Sequence, residues 1–186
     1  MRPARCVAIA ITLSLAFISC ASSEMDTLQV REEGNNLLLS VPVSRLSMTL
    51  PKGELAQAQK PSSGPTSSPR YFMLEDRPNG IIVSGWFEPD RGYEGFKNYW
   101  KGQLEDWKAQ GLPPPQEPTF LETNGWNAVC YDLQIPAGVN THIRAHYVKA
   151  GTWIDVHLSL TTERPTNEAR NKLLKVFESI QVTEKQ

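Results

Sequence analysis

A chain of 186 residues with 40% hydrophobic and 21% charged side chains suits a single domain that buries a core, and excludes wholesale disorder. The formal net charge is −1, and no run of Lys and Arg forms a stripe able to replace phosphate counterions, which excludes nucleic acid as a partner. With only Cys6, Cys20 and Cys130, the even-numbered disulfide framework of small secreted domains is excluded as well.

Residues 1–19 read as an export signal. Arg2 and Arg5 make a positive start, and the apolar run over 7–18 (VAIAITLSLAFI) follows. That run is too short for a membrane span of about 20 residues and fits the apolar region of a secretory signal. Phe17-Ile18-Ser19-Cys20 resembles a bacterial lipobox, with Phe17 where Leu is usual. The resemblance implies lipid on Cys20, which anchors the chain to a membrane. Ala21 in the next position implies the outer membrane, facing the periplasm. The alternative is ordinary cleavage after Ala21, giving a secreted or soluble periplasmic protein. Loss of Arg2 and Arg5 with the leader leaves 17 basic against 20 acidic residues. Cys6 leaves with them, and a lipidated Cys20 leaves Cys130 without a disulfide partner.

Residues 20–36 are polar and aperiodic, and predict a tether. One domain is then expected over 37–186. Short strands are predicted at 37–43 and 46–50, broken by Pro42 and Pro51. A flexible Pro/Ser/Gly loop is predicted at 57–69. Strands at 70–75 and 81–88 flank Asp76-Arg77-Pro78-Asn79-Gly80, a strong turn signal. The spacing of Phe96, Trp100, Leu104 and Trp107 predicts a helix over 93–110 that packs this stripe into the core, ended by Gly111 and Pro113-Pro114-Pro115. Strands are predicted at 119–122, 127–135, 141–149 and 152–161. A closing helix follows over 165–179, with Pro165 in its first turn and Ala169, Leu173, Val176, Phe177 and Ile180 on its apolar face. A short strand at 180–182 ends the chain. This order predicts an α+β domain, a mostly antiparallel sheet packed with two main helices.

Leu-Ser-Met-Thr-Leu-Pro at 46–51, the mid-chain amphipathic helix, Gly125-Trp126 entering a strand, the hairpin Gly151-Thr152-Trp153-Ile154, and a helix ending Val176-Phe177-Glu178-Ser179-Ile180 recur in one layout. Over residues 37–182 the chain resembles the Mog1/PsbP-like fold family, of the type found in bacterial envelope lipoproteins. The resemblance implies a sandwich-like binding or assembly module, with no shared active site to carry over.

The residues themselves show no nucleophile elbow, phosphate-binding loop, dinucleotide fingerprint or zinc-protease motif, and no cofactor is implied. Cys130 alternates with strand residues and reads as a small buried hydrophobe. The three histidines lie on the last hairpin. With Ala150-Gly151 as a two-residue turn, His146 faces Asp155, Arg144 faces His157 and His142 faces Ser159. His146, Asp155 and His157 are weak candidates for a zinc or copper site, because cross-strand neighbours approach closely. Arg144 among them repels a cation, so a solvated polar face is the expectation. Trp86, Tyr93 and Tyr99 fall off the apolar stripes and are weak candidates for a partner surface. The expected function is a non-catalytic, membrane-tethered module binding a protein or envelope component. The alternatives are a small-ligand carrier, or a metal-binding or hydrolytic protein using His142, His146, Asp155 and His157.

Overall fold

The structure is a computed structural model that describes residues 26–59 and 64–185. The predicted signal over 1–19 and the lipidation candidate Cys20 lie outside the described residues. Eleven strands and two helices follow in chain order: β1 (Gln29–Glu33), β2 (Asn36–Ser40), β3 (Leu46–Pro51), β4 (Ala56–Gln57), β5 (Tyr71–Asp76), β6 (Ile81–Pro89), α1 (Phe96–Ala109), β7 (Gln116–Thr123), β8 (Trp126–Ile135), β9 (Gly138–Lys149), β10 (Thr152–Thr162), α2 (Asn167–Glu178) and β11 (Gln181–Glu184). They form a four-stranded sheet in the order β1-β2-β3-β11 and a seven-stranded sheet in the order β4-β5-β6-β10-β9-β8-β7. Every neighbouring pair is antiparallel. The α+β class with antiparallel sheets is as the sequence predicts.

Turn chemistry explains much of the register. Asp76 Oδ1 accepts from the Asn79 backbone N–H at 3.1 Å, and Gly80 at φ 66° closes the β5–β6 reversal. Ala150 (φ 52°) and Gly151 (φ 77°) form a two-residue turn with both positions left-handed, which matches the twist of the flanking strands. The β9–β10 register is therefore the one read from sequence: His146 faces Asp155, Arg144 faces His157 and His142 faces Ser159.

The two faces of the large sheet carry different loads. Phe72, Val83, Ile143, Ala145, Ile154, Val156 and Leu158 face a core closed by β2 and β3 of the small sheet and by Ala169, Leu173 and Phe177 of α2. Cys130 is free, buried and part of this core. Alternation sends Val129 and Tyr131 to the other face, where Phe96 and Trp100 of α1 cover them.

Several boundaries differ from the sequence expectation. Residues 29–33, read as tether, are a strand: Gly34, at φ 60° in the first position of a two-residue turn, reverses the chain so that Val30 pairs Leu39. Its sequence, QVREE, lacks a period because it is a charged edge strand with most side chains exposed. The predicted loop at 57–69 begins in β4, and a 3-10 turn occupies Pro65–Ser67. Helix α1 starts three residues later than predicted, since Gly95 at φ 95° cannot continue a helix backward. Pro165 sits before the cap of α2, where the Thr166 hydroxyl accepts from the Ala169 N–H at 3.0 Å. β7 runs longer than predicted, with a register shift between Gln116 and Thr119 that accommodates Pro118.

Candidate functional site

The face of β9 and β10 expected to be solvated is covered by α1. His142, His146 and Asp155 are all buried, and His146 is only 1% exposed. The correction has a simple cause. α1 is amphipathic, and its aromatic side needs a surface; alternation offers it Tyr131 and Val129 on β8 and, one strand over, the polar residues of β9.

Beneath the helix the polar groups are partly paired, while His142 Nε2, Arg144 Nε, His146 Nε2 and Asp155 Oδ1 are buried without a hydrogen-bond partner among the described residues. Arg144 donates through Nη2 to Asp155 Oδ2. Asp155 Oδ1 lies 3.6 Å from His146 Nε2, and the Tyr93 hydroxyl lies 3.0 Å from His146 Nδ1. Burial first, then the Arg144 charge, pushes His146 down to about 3, so the ring is neutral at physiological pH. A carboxylate beside Nε2 favours the proton there, which leaves Nδ1 to accept from Tyr93. His142 Nδ1 and His157 Nε2 share a hydrogen bond of 2.8 Å between parallel rings. Burial lowers His142 to about 4, and burial with the neighbouring His142 and Arg144 holds His157 well below its usual value. Burial pushes the Asp155 carboxyl up to about 6 against the pull of Arg144.

Aromatic rings wall this cluster. The Arg144 guanidinium carbon sits 5.6 Å from the Trp86 ring centre and 5.4 Å from that of Tyr99. The His146 ring packs 4.3 Å from Tyr99 and 4.9 Å from both Phe96 and Trp153. Trp86, Tyr93 and Tyr99 thus lean on the polar cluster while remaining half-buried. Trp86 was bound to do so, because it stands opposite Asp155 in the β6–β10 register.

The metal candidates do not converge. Asp155 Oδ2 is taken by Arg144, and His157 Nε2 is taken by His142. Among the described residues no three His, Cys, Asp or Glu side chains are placed to hold a metal ion. What the cluster does chemically is fix position: an ion pair and stacked imidazoles join β9 to β10, and the Tyr93 hydroxyl with the Phe96 and Tyr99 rings ties the start of α1 to them.

A second region was not singled out from the sequence. Among the described residues, the large apolar side chains that remain exposed are Val43, Leu104, Leu112, Phe120 and Val148. Four of them line two grooves beside α1, Phe120 and Val148 in one and Leu104 and Leu112 in the other. A groove of about 710 Å³ opens between the start of α1 and β7 to β9, lined by Phe96, Lys97, Phe120, Glu122 and Val148 among others. Another, of about 500 Å³, lies at the end of α1 beside Leu104, Trp107, Leu112, Pro114 and Pro115. The buried Trp100 ring contacts Phe120 of the first groove at 6.4 Å and Trp107 of the second at 5.8 Å. Leu104, expected in the core stripe, is 36% exposed, and the buried residues of α1 are Phe96 and Trp100. A sequence signal existed in the triple proline beside Leu112, which holds that residue on an extended segment.

No family model and no curated protein matches the chain. Among solved structures, a protein from Bacteroides thetaiotaomicron shares 9% identity at a TM-score of 0.47, over 75% of this chain and 46% of that one. The chain thus spans about half the length of that relative. A Pseudomonas aeruginosa protein of unknown function shares 14% identity at a TM-score of 0.41, over 82% of this chain and 95% of that one.

Proposed function

We propose that the chain is an extracytoplasmic lipoprotein, anchored through Cys20 to the outer membrane and facing the periplasm, that acts as a non-catalytic binding module. The observation that carries the binding reading is that four exposed apolar side chains line grooves beside α1, Phe120 and Val148 the first, Leu104 and Leu112 the second. Exposed apolar residues are ordinary when scattered, but a contiguous patch rimmed by polar groups marks an interaction surface. Lys97, Glu122 and Lys108 supply that rim. The buried cluster supports a non-catalytic role, since its histidines are neutral, paired and walled off by α1. The reading of the chain as a Mog1/PsbP-like envelope protein rests on the sequence segments at 46–51, 125–126, 151–154 and 176–180. The anchor rests on the basic start, the apolar run and Cys20.

Two measurements test this. A fatty-acid analogue should label the wild-type chain and not Cys20→Ser; equal labelling returns the protein to the plain secreted class. A photo-crosslinking residue placed at 104 or 120 should capture one discrete partner in intact cells, while the same residue at the exposed position 43 should not. Equal capture at all three positions removes the grooves as the binding surface.

A further inference from the structure

Each sheet has two outer strands, and three of the four are protected against pairing. β1 carries Arg31, Glu32 and Glu33; β4 has two residues; β11 has four, with Glu184 in ion pairs to Arg45 and Lys149. Charge and shortness are the usual devices that keep a sheet edge from recruiting another chain. β7 differs. Its first half is blunted by the bulge and Pro118, but Thr119 to Thr123 pair regularly with Cys130 to Trp126. This run carries a single charge, Glu122, and Phe120 is 55% exposed on it. Among the described residues, no backbone hydrogen bond beyond the β8 ladder engages this run.

Resting on the binding reading above, we infer that the partner docks as an extended peptide segment that adds to β7 as an eighth strand of the large sheet. The edge fixes the conformation of the occupant, because unpaired N–H and C=O groups of a strand are satisfied along their length only by another extended backbone. The neighbouring groove fixes its side chains. A strand added to β7 lies about 4.8 Å further out, and every second side chain points to the α1 side. Those side chains meet Phe120, 55% exposed on that side of β7 and in ring contact with Trp100 of α1. The occupant is therefore an extended segment of about five to seven residues with apolar side chains at alternate positions and no proline within the pairing run.

The test is selection of random seven-residue peptides on phage against the full lipidated chain in detergent micelles. Enriched sequences should alternate apolar residues and avoid proline. For the synthetic form of the best peptide, methylating one alternate set of backbone nitrogens should weaken binding by about tenfold or more, while methylating the other set should not. Phe120→Lys should weaken binding by a similar factor and melt like the wild type, whereas Val43→Lys should leave binding unchanged. Failure to enrich any peptide, or equal binding after methylation of either set, overturns strand addition. Self-association of the chain that Phe120→Lys abolishes also overturns it, since the edge then serves a second copy. Discrete crosslinking at 120 together with insensitivity to methylation would leave the binding surface in place and remove only the strand.

Discussion

At the scale of single residues, the polar cluster under α1 is costly to disturb and responds to acid. A histidine whose folded pKa lies below its unfolded value stays neutral in the fold while the unfolded chain takes up a proton. Stability is then lost as pH falls below about 6.5. The loss continues to about 4 for His142 and about 3 for His146, and His157 shifts in the same direction. Asp155 opposes this between the ordinary carboxyl value and about 6, because it takes its proton sooner in the fold. Three histidines outweigh one carboxyl, each histidine contributing up to about 1.4 kcal/mol per pH unit. Thermal melts between pH 7 and pH 4.5 should show a steady fall in Tm beginning below pH 6.5, with a shallower slope in His146→Gln; a flat profile contradicts the buried neutral histidines. Arg144 gives a second handle. Arg144→Met leaves Asp155 buried without its partner, a loss of about 3–5 kcal/mol, while Arg144→Met with Asp155→Leu should recover much of it. Denaturant titration of both variants measures the difference, and a double variant no better than the single would show that the pair does not act as a unit.

At the scale of elements, what was legible in the sequence followed periodicity and turn chemistry. The β9–β10 register came directly from alternation and Ala150-Gly151, and α1 from its aromatic spacing. β1 was not legible, because a charged outer strand carries no hydrophobic period to find. The covering of the histidine face was illegible for a different reason: alternation says which side chains share a face, but not whether a helix distant in sequence lies over it. The contacts of the half-buried Trp86, Tyr93 and Tyr99 with the cluster follow from that same placement. One close approach within the sheet yields a sharp expectation. A Cβ on Gly85 of β6 would sit 1.9 Å from the Asp155 carbonyl oxygen and 2.9 Å from the Phe72 ring. Neither the β10 backbone nor a ring in the dense core can yield that distance. Gly85→Ala should lower stability by about 3 kcal/mol or more, read by chemical denaturation, and a near-neutral result would mean that β6 and β10 separate more easily than their packing implies.

At the scale of the whole molecule, the small sheet joins the two ends of the domain. β11, the last strand, pairs with β3, with Val182 opposite Met48 and Glu184 opposite Leu46. Lys185 Nζ then donates to the Val41 carbonyl at 2.9 Å. Removal of residues 181–186 would unpair the outer side of β3, whose Leu46, Met48 and Leu50 are fully buried. The truncated chain should melt at lower temperature and self-associate on gel filtration, as an uncovered apolar strand recruits another. A monomer with unchanged Tm would show that β2 and the large sheet hold β3 unaided.

The position of β1 also limits where this molecule can work. With lipid on Cys20, only residues 21–28 separate the bilayer from the first strand. Even fully extended, that leash reaches about 30 Å, roughly half of what residues 20–36 would have allowed. A chain lipidated at Cys20 would hold its domain within that reach of the membrane surface and would meet a partner by a search in two dimensions.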